Sequence, residues 1–312
     1  MNKRELIFSV IDADSKPEIV PAAFFLHFDP VYHTGRPAVD KHMEYFRYTG
    51  MDFVKIQFEL DFPRIEVNTP ADWSRMPFMS LDHYQPALEV VKGLVEAGGG
   101  DAPVILTLYS PYMLTNNMAG EENVTRTMAE NPAAYRRAIG MMTDSLLQFV
   151  REAIKQGLDG FYTSTQGGEL GRMDAALFDQ CVRPYDLAVM EEINQTCPFN
   201  ILHVCDYHLP YDDISRFIDY PGQVVNASLD LVGKALTARE AAQMFNRPFM
   251  GGLDRKGVIA TGTPDEVRQA VTRVLEDAPE RFILGADCTV PGDTPWDNLR
   301  AAIQTAHEYR RA

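Results

Sequence analysis

Three residues could share one piece of chemistry. His203 and Cys205 sit two apart at the end of the apolar run ILHVC (201–205), and Cys288 follows a second apolar run, RFILGAD (281–287). On a strand, residues two apart point to the same side, so the imidazole and the first thiol face one way and Val204 the other. One imidazole and two thiolates suit a borderline-soft ion such as Zn²⁺. Three protein ligands leave a fourth position open, the pattern of a catalytic rather than a closed structural site. That position would take water or a substrate sulfur, and zinc keeps a bound thiolate deprotonated at neutral pH. The plainer reading is a buried cysteine beside an ordinary histidine. Cys181 and Cys197 fall in or beside helical runs and read as small buried hydrophobes. His208 reads as a loop residue rather than a ligand.

Elements must bring those residues together. Eight short apolar runs, 22–28, 52–59, 102–110, 158–165, 199–205, 223–228, 248–254 and 281–288, alternate with helical patterns. Those patterns cover 39–50, 80–98, 130–157, 173–196, 211–220, 237–245, 263–279 and 295–311. The 130–157 stretch reads as more than one piece, and Pro184 starts or kinks the second half of 173–196. Thr263, Pro264 and Glu266 form a capping-box start. Eight strand–helix units are the count of a closed (β/α)₈ TIM barrel, and near-continuous apolar strands suit a parallel sheet covered on both faces. No glycine-rich dinucleotide loop follows the first strand, which weighs against a doubly wound sheet. The expectation is one barrel domain over 1–312, with an N-terminal extension and long excursions after strands two (61–79) and three (110–129).

Barrel chemistry sits at the C-terminal strand ends. Those ends carry His27, Gln57, Glu59, Tyr109, Ser164, Thr165, His203, Cys205, Asn226, Asp254, Asp287 and Cys288. Glu59, Tyr109, Tyr112 and Asn226 are candidates to line a substrate pocket, and His27, His33 and Arg36 to meet an anionic tail. Asp206 and Asp287 could orient His203 or tune the site from behind it; loop capping is their plainer role.

The bulk numbers exclude some classes. A formal charge of −15 over 312 residues argues against nucleic acid or an anionic membrane as the main partner. Four cysteines make a poor disulfide framework and suit the cytoplasm. The first twenty residues lack a secretory apolar core, and no run is long enough to span a bilayer.

The C-terminal third, ILHVCDYH, VVNASLD, FMGGLD and GADCTVPGDTPWDNLRAA, resembles the uroporphyrinogen decarboxylase superfamily, nearest its corrinoid-linked methyltransferase branch. The resemblance implies a (β/α)₈ barrel. It also implies Zn²⁺ on His203, Cys205 and Cys288, a small thiol as methyl acceptor, and a methyl-corrinoid, carried by a partner protein, as donor. The decarboxylase branch has an arginine-rich N-terminal segment; here FFLHFDPVYHTGRP offers only Arg36. The branch commonly has glycine where this chain has Asp206, and the glutamate that related methionine synthases add near strand six is absent. The alternatives are a metal-free carboxy-lyase and a non-catalytic ligand- or corrinoid-binding barrel. TSTQGGELGRM (163–173) fits none of these patterns.

Overall fold

The computed structural model describes residues 2–15 and 17–310. Seven strands form a curled, wholly parallel sheet: β1 (Val54–Ile56), β2 (Val104–Tyr109), β3 (Gly160–Thr165), β4 (Ile201–Val204), β5 (Val224–Ala227), β8 (Phe249–Leu253) and β9 (Phe282–Ala286). They pair in that order. A short antiparallel hairpin, β6 (Asp230–Leu231) with β7 (Lys234–Ala235), projects between β5 and β8. In the seven-stranded sheet all strand residues but Tyr109 and Gly252 are buried, as helices packed outside and side chains filling the inside require.

The eighth expected strand, 22–28, is not a regular strand, so the sheet differs here from the expectation. Ala22 makes an isolated parallel bridge to Leu284. Pro21 has no N–H to give, and the Ala22 N–H goes to the Asp52 carboxylate (2.8 Å) instead of a backbone carbonyl. The segment still bonds both sheet edges: Ala23 N–H to Leu284 O (3.0 Å), and Asp52 N–H to Ala22 O (3.0 Å).

The helices are α1 (Lys3–Ile11), α2 (Gly35–Thr49), α3 (Leu81–Gly98), α4 (Pro111–Ala119), α5 (Glu121–Glu130), α6 (Pro132–Lys155), α7 (Ala175–Cys181), α8 (Arg183–Thr196), α9 (Ala238–Phe245), α10 (Val258–Thr261), α11 (Pro264–Asp277) and α12 (Trp296–Glu308). Thr263 and Glu266 close the expected capping box on α11, and Pro184 falls in the first turn of α8. Three expectations change. The excursion 110–129 is helical: Ser110 caps α4, Pro111 opens it, and Gly120 at φ 82° turns the chain into α5. The 132–155 stretch is one unbroken helix that passes through Gly140. The stretch 211–220 holds only a 3₁₀ turn, Ser215–Phe217. The N-terminal extension contains α1, capped reciprocally by Asn2 and Glu5. Residues 61–79 are mostly irregular and are pinned by Trp73, whose Nε1 donates to Thr127 on α5 (3.0 Å). No helix among the described residues is long and apolar enough to cross a membrane.

Candidate metal centre

Register builds the site. Ser164, His203 and Asn226 are mutual partners across β3, β4 and β5 and therefore lie in one layer. Cys205 follows the end of β4, where its N–H still bonds Thr165 O (3.0 Å). Cys288 follows the end of β9. The ligand atoms of His203, Cys205 and Cys288 all lie within 4.8 Å of one another, and all three residues are buried. His203 Nε2 is 3.4 Å from Cys288 Sγ. A tetrahedral zinc with ordinary bond lengths separates its ligand atoms by about 3.5–3.8 Å. The donor set and its spacing fit such an ion. His203 Nδ1 is buried with no protein hydrogen-bond partner.

The two thiols are not equivalent. Cys288 is pushed well below the usual thiol range, first by a hydrogen bond from Cys205 and then, against burial, by His203 and Arg255. Cys205 is pushed well above it by the same hydrogen bond and by burial. Such a pair titrates as a unit, and a bound metal would displace its protons. By contrast, burial raises the Cys181 and Cys197 thiols to about 11, as befits inert core residues.

The cluster opens into a cavity of about 540 Å³. His27, Gln57, Tyr109, Met113, Tyr162 and Ser164 are among its walls. His27 Nδ1 bonds Glu59 Oε1 (2.7 Å), which also has His33 at 3.8 Å. Glu59 is therefore occupied by histidines behind the cavity wall. Tyr162 stacks on His203, with ring centroids 4.9 Å apart. Its hydroxyl donates to Asn226 Oδ1 (2.5 Å), and Asn226 Nδ2 donates to the carbonyls of Met250 and Ala286, both at 2.9 Å. Asn226 thus braces the strands beneath the site instead of facing a substrate.

Asp206 and Asp287 do not reach His203. Both accept from Arg255 Nη1, Asp206 at 2.8 Å, and line a second cavity of about 390 Å³ beside the first. Arg36 and Tyr112 also lie off the cavity they were expected to line. Arg36 lies far out on α2, 81% exposed and paired with Asp40. Tyr112 is fully buried on α4, where the helix turns its ring into the core. His208 lies on the cavity wall, 3.5 Å from Glu121.

Arg255, Tyr162 and Gln166 were missed in the sequence. Gln166 Nε2 lies 3.6 Å from Cys205 Sγ, so the unassigned 163–173 segment contributes Gln166 to the site beside Ser164. Position past a strand end was the available signal for Arg255 and Gln166. Nothing local marks Tyr162, which reads as one more apolar strand residue.

The family model described as "Uroporphyrinogen decarboxylase (URO-D)" matches residues 50–309. Among curated proteins, the chain is 24% identical over 211 residues to "Methylated-thiol--coenzyme M methyltransferase" of Methanosarcina mazei, covering 67% of this chain and 54% of that protein. It is 21% identical over 226 residues to "Methylcobamide:CoM methyltransferase MtbA" of Methanosarcina acetivorans, covering 72% and 63%. The chain thus spans little more than half the length of these relatives. Among solved structures, a methyltransferase from Methanosarcina mazei superposes with a TM-score of 0.82 at 14% identity, covering 99% of each chain. A putative vitamin-B12 independent methionine synthase from Listeria monocytogenes superposes at 0.59 and 11%, covering 92% and 98%. At these identities the superpositions speak for the fold.

Proposed function

This chain belongs to the uroporphyrinogen decarboxylase (URO-D) family, and from that premise we propose that it is a zinc-dependent methyltransferase that moves a methyl group from a corrinoid to a small thiol. The observation that carries this reading is the convergence of His203, Cys205 and Cys288 on one cavity. We read segment 21–26 as the irregular eighth member that closes a (β/α)₈ barrel, since it bonds both edges of the sheet.

His203, Cys205 and Cys288 would hold the metal. Bound there, Zn²⁺ would supply Lewis acidity that favours the thiolate form of the acceptor. The chain's own groups do the rest. Arg255 fixes Asp206 and Asp287, the neighbours of the two cysteines. His27, whose Nδ1 is held by Glu59, is a cavity-wall base whose Nε2 can take the thiol proton. Tyr109 and Met113 supply apolar wall and exclude water. The methyl-corrinoid, as donor, would supply an electrophilic methyl group to the thiolate sulfur and keep the electron pair of its carbon–cobalt bond. A cavity of about 540 Å³ suits a small thiol and is too small for a corrinoid with its nucleotide. The donor, on a partner protein, would therefore present its methyl from the mouth. Four free cysteines suit the cytoplasm.

The carboxy-lyase alternative is disfavoured by one observation. The arginine on the cavity wall is already paired with two carboxylates, which leaves Lys256 as the remaining fixed cation there to receive a polycarboxylate.

The test is zinc stoichiometry in protein purified without added metal, beside Cys288→Ala, followed by methyl transfer from methylcobalamin to a panel of thiols. About one zinc per chain, lost in the variant, and S-methyl product are expected. No zinc after reconstitution under reducing conditions would overturn the reading.

A further inference from the structure

A lysine lies where a core residue would be expected. Lys55, on β1, is only 4% exposed. Its Nζ lies 4.4 Å from the centroid of the Phe25 ring and 4.7 Å from that of Tyr162, and it donates to Gln57 Oε1 (2.5 Å). Thr107 Oγ1 donates to the same oxygen (3.1 Å), and Gln57 Nε2 is spent on Leu26 O (2.9 Å). No carboxylate touches the ammonium: among the described residues Lys55 has no salt bridge, and Glu59 acts on it only at a distance. Burying an unpaired cation costs several kcal/mol, and a methionine of similar length would fill the same space without that cost. Two of the three residues around Nζ are themselves cavity walls. Gln57 and Tyr162 both line the cavity, and Tyr162 is the ring stacked on His203. Lys55 is therefore one contact layer beneath the floor of the site.

The charge balance above it gives the lysine a use. A divalent ion with the thiolates of Cys205 and Cys288 is neutral, and a substrate thiolate makes the assembly negative. Resting on the metal and thiol reading given above, we propose that Lys55 is the buried counter-charge for the thiolate substrate, a positioning residue that selects the anionic form of the acceptor over neutral sulfur ligands. Its environment agrees. Burial lowers the lysine to about 7 and Glu59 pulls it back up, so its charge responds to negative charge brought near it. Lys55 would equally disfavour a cationic ligand, and it would discriminate against the neutral methylated product, which then leaves. Coulomb's law at an effective dielectric near 20 gives a preference on the order of tenfold for unit charges about 10 Å apart.

The test compares full-length, zinc-loaded wild type with Lys55→Met. Calorimetry would measure the affinity of each for 2-mercaptoethanol and for its neutral S-methyl ether at one pH. The variant should bind the thiol about tenfold more weakly and the thioether as before. An equal change for both ligands, or none for either, would overturn the proposal and make Lys55 a packing residue. If Lys55→Met does not fold, Lys55→Gln poses the same comparison, since it also removes the charge. If wild type holds zinc but binds no thiol, or holds no zinc, the underlying reading fails first and the counter-charge with it.

Discussion

Arg255 and Asp287 are bonded twice. The Arg255 backbone N–H donates to Asp287 Oδ1 (2.6 Å), and its guanidinium Nη1 donates to Oδ2. The same Nη1 reaches Asp206 Oδ1 (2.8 Å). Asp206 follows Cys205 and Asp287 precedes Cys288, so one guanidinium ties the two cysteine-bearing strand ends together. Groups that hold ligands in place behind a metal site typically contribute 10–100-fold in affinity.

Arg255→Met should therefore weaken zinc binding by about 10–100-fold, read by competition with a chromophoric chelator. It should also lower stability by about 3 kcal/mol, because two partly buried carboxylates lose their partner. Unchanged zinc affinity in a folded variant would reduce Arg255 to a structural bridge.

Tyr162 separates two roles that can be removed one at a time. Tyr162→Phe keeps the ring against His203 but leaves Asn226 Oδ1 without its donor. It should cost about 1–3 kcal/mol in urea unfolding, with little change in zinc affinity. Tyr162→Leu also removes the stack, and zinc affinity should then fall as His203 gains rotational freedom. If both variants bind zinc like wild type, the stack does not orient the imidazole.

These dependencies explain what could be read from the chain. The period of two that aligns His203 with Cys205 is local, and the apolar run ahead of Cys288 is local, so both were legible. Asn226 was legible as a polar strand residue but not as a brace, because its partners Met250 O and Ala286 O come from two other strands. Arg255 was legible as a position past a strand end but not as a tie, for the same reason: its value lies in two aspartates brought to it by the fold. The α4–α5 pair was hidden by its own punctuation, since Pro111, Gly120 and the Asn131–Pro132 step read as loop signals while acting as caps. Strand 22–28 was legible as an apolar run, but nothing in it foretold that the Asp52 side chain would take the place of a ladder carbonyl.

Asp186 should make stability fall as pH rises. It is fully buried on α8, and burial raises its carboxyl from 3.8 to about 7 against the hydrogen bond from Thr165 Oγ1 (2.6 Å). A raised carboxyl favours the protonated folded state. The cost is absent below pH 3.8, where both states hold the proton, and grows to its full value by about pH 7. That value is about 4 kcal/mol, from a shift of roughly three pH units at 1.36 kcal/mol each. Asp186→Asn should abolish this fall, so its stability relative to wild type increases from pH 4 to pH 8. A constant difference across that range would refute the assignment.

His42 works in the opposite direction over an overlapping window, which is why the two must be separated by substitution. Its Nδ1 donates to Ala38 O (2.8 Å), its Nε2 is buried without a partner, and its ring meets Phe28 edge to face. A second N–H would have no acceptor, and burial accordingly lowers the imidazole from 6.5 to about 4. The folded state stays neutral while the unfolded chain protonates, so this contribution is complete above pH 6.5 and is lost as pH falls toward 4. The loss is about 3 kcal/mol. Between pH 4 and 6.5 it opposes the gain from Asp186, and a wild-type profile alone would look deceptively flat. His42→Asn keeps a donor for Ala38 O and does not titrate. Urea unfolding of this variant between pH 4 and 7 should therefore show stability rising as pH falls, the Asp186 limb exposed. Adding Asp186→Asn should flatten it again. A His42→Asn profile parallel to wild type would show that His42 is protonated in the folded protein, with an acceptor for Nε2.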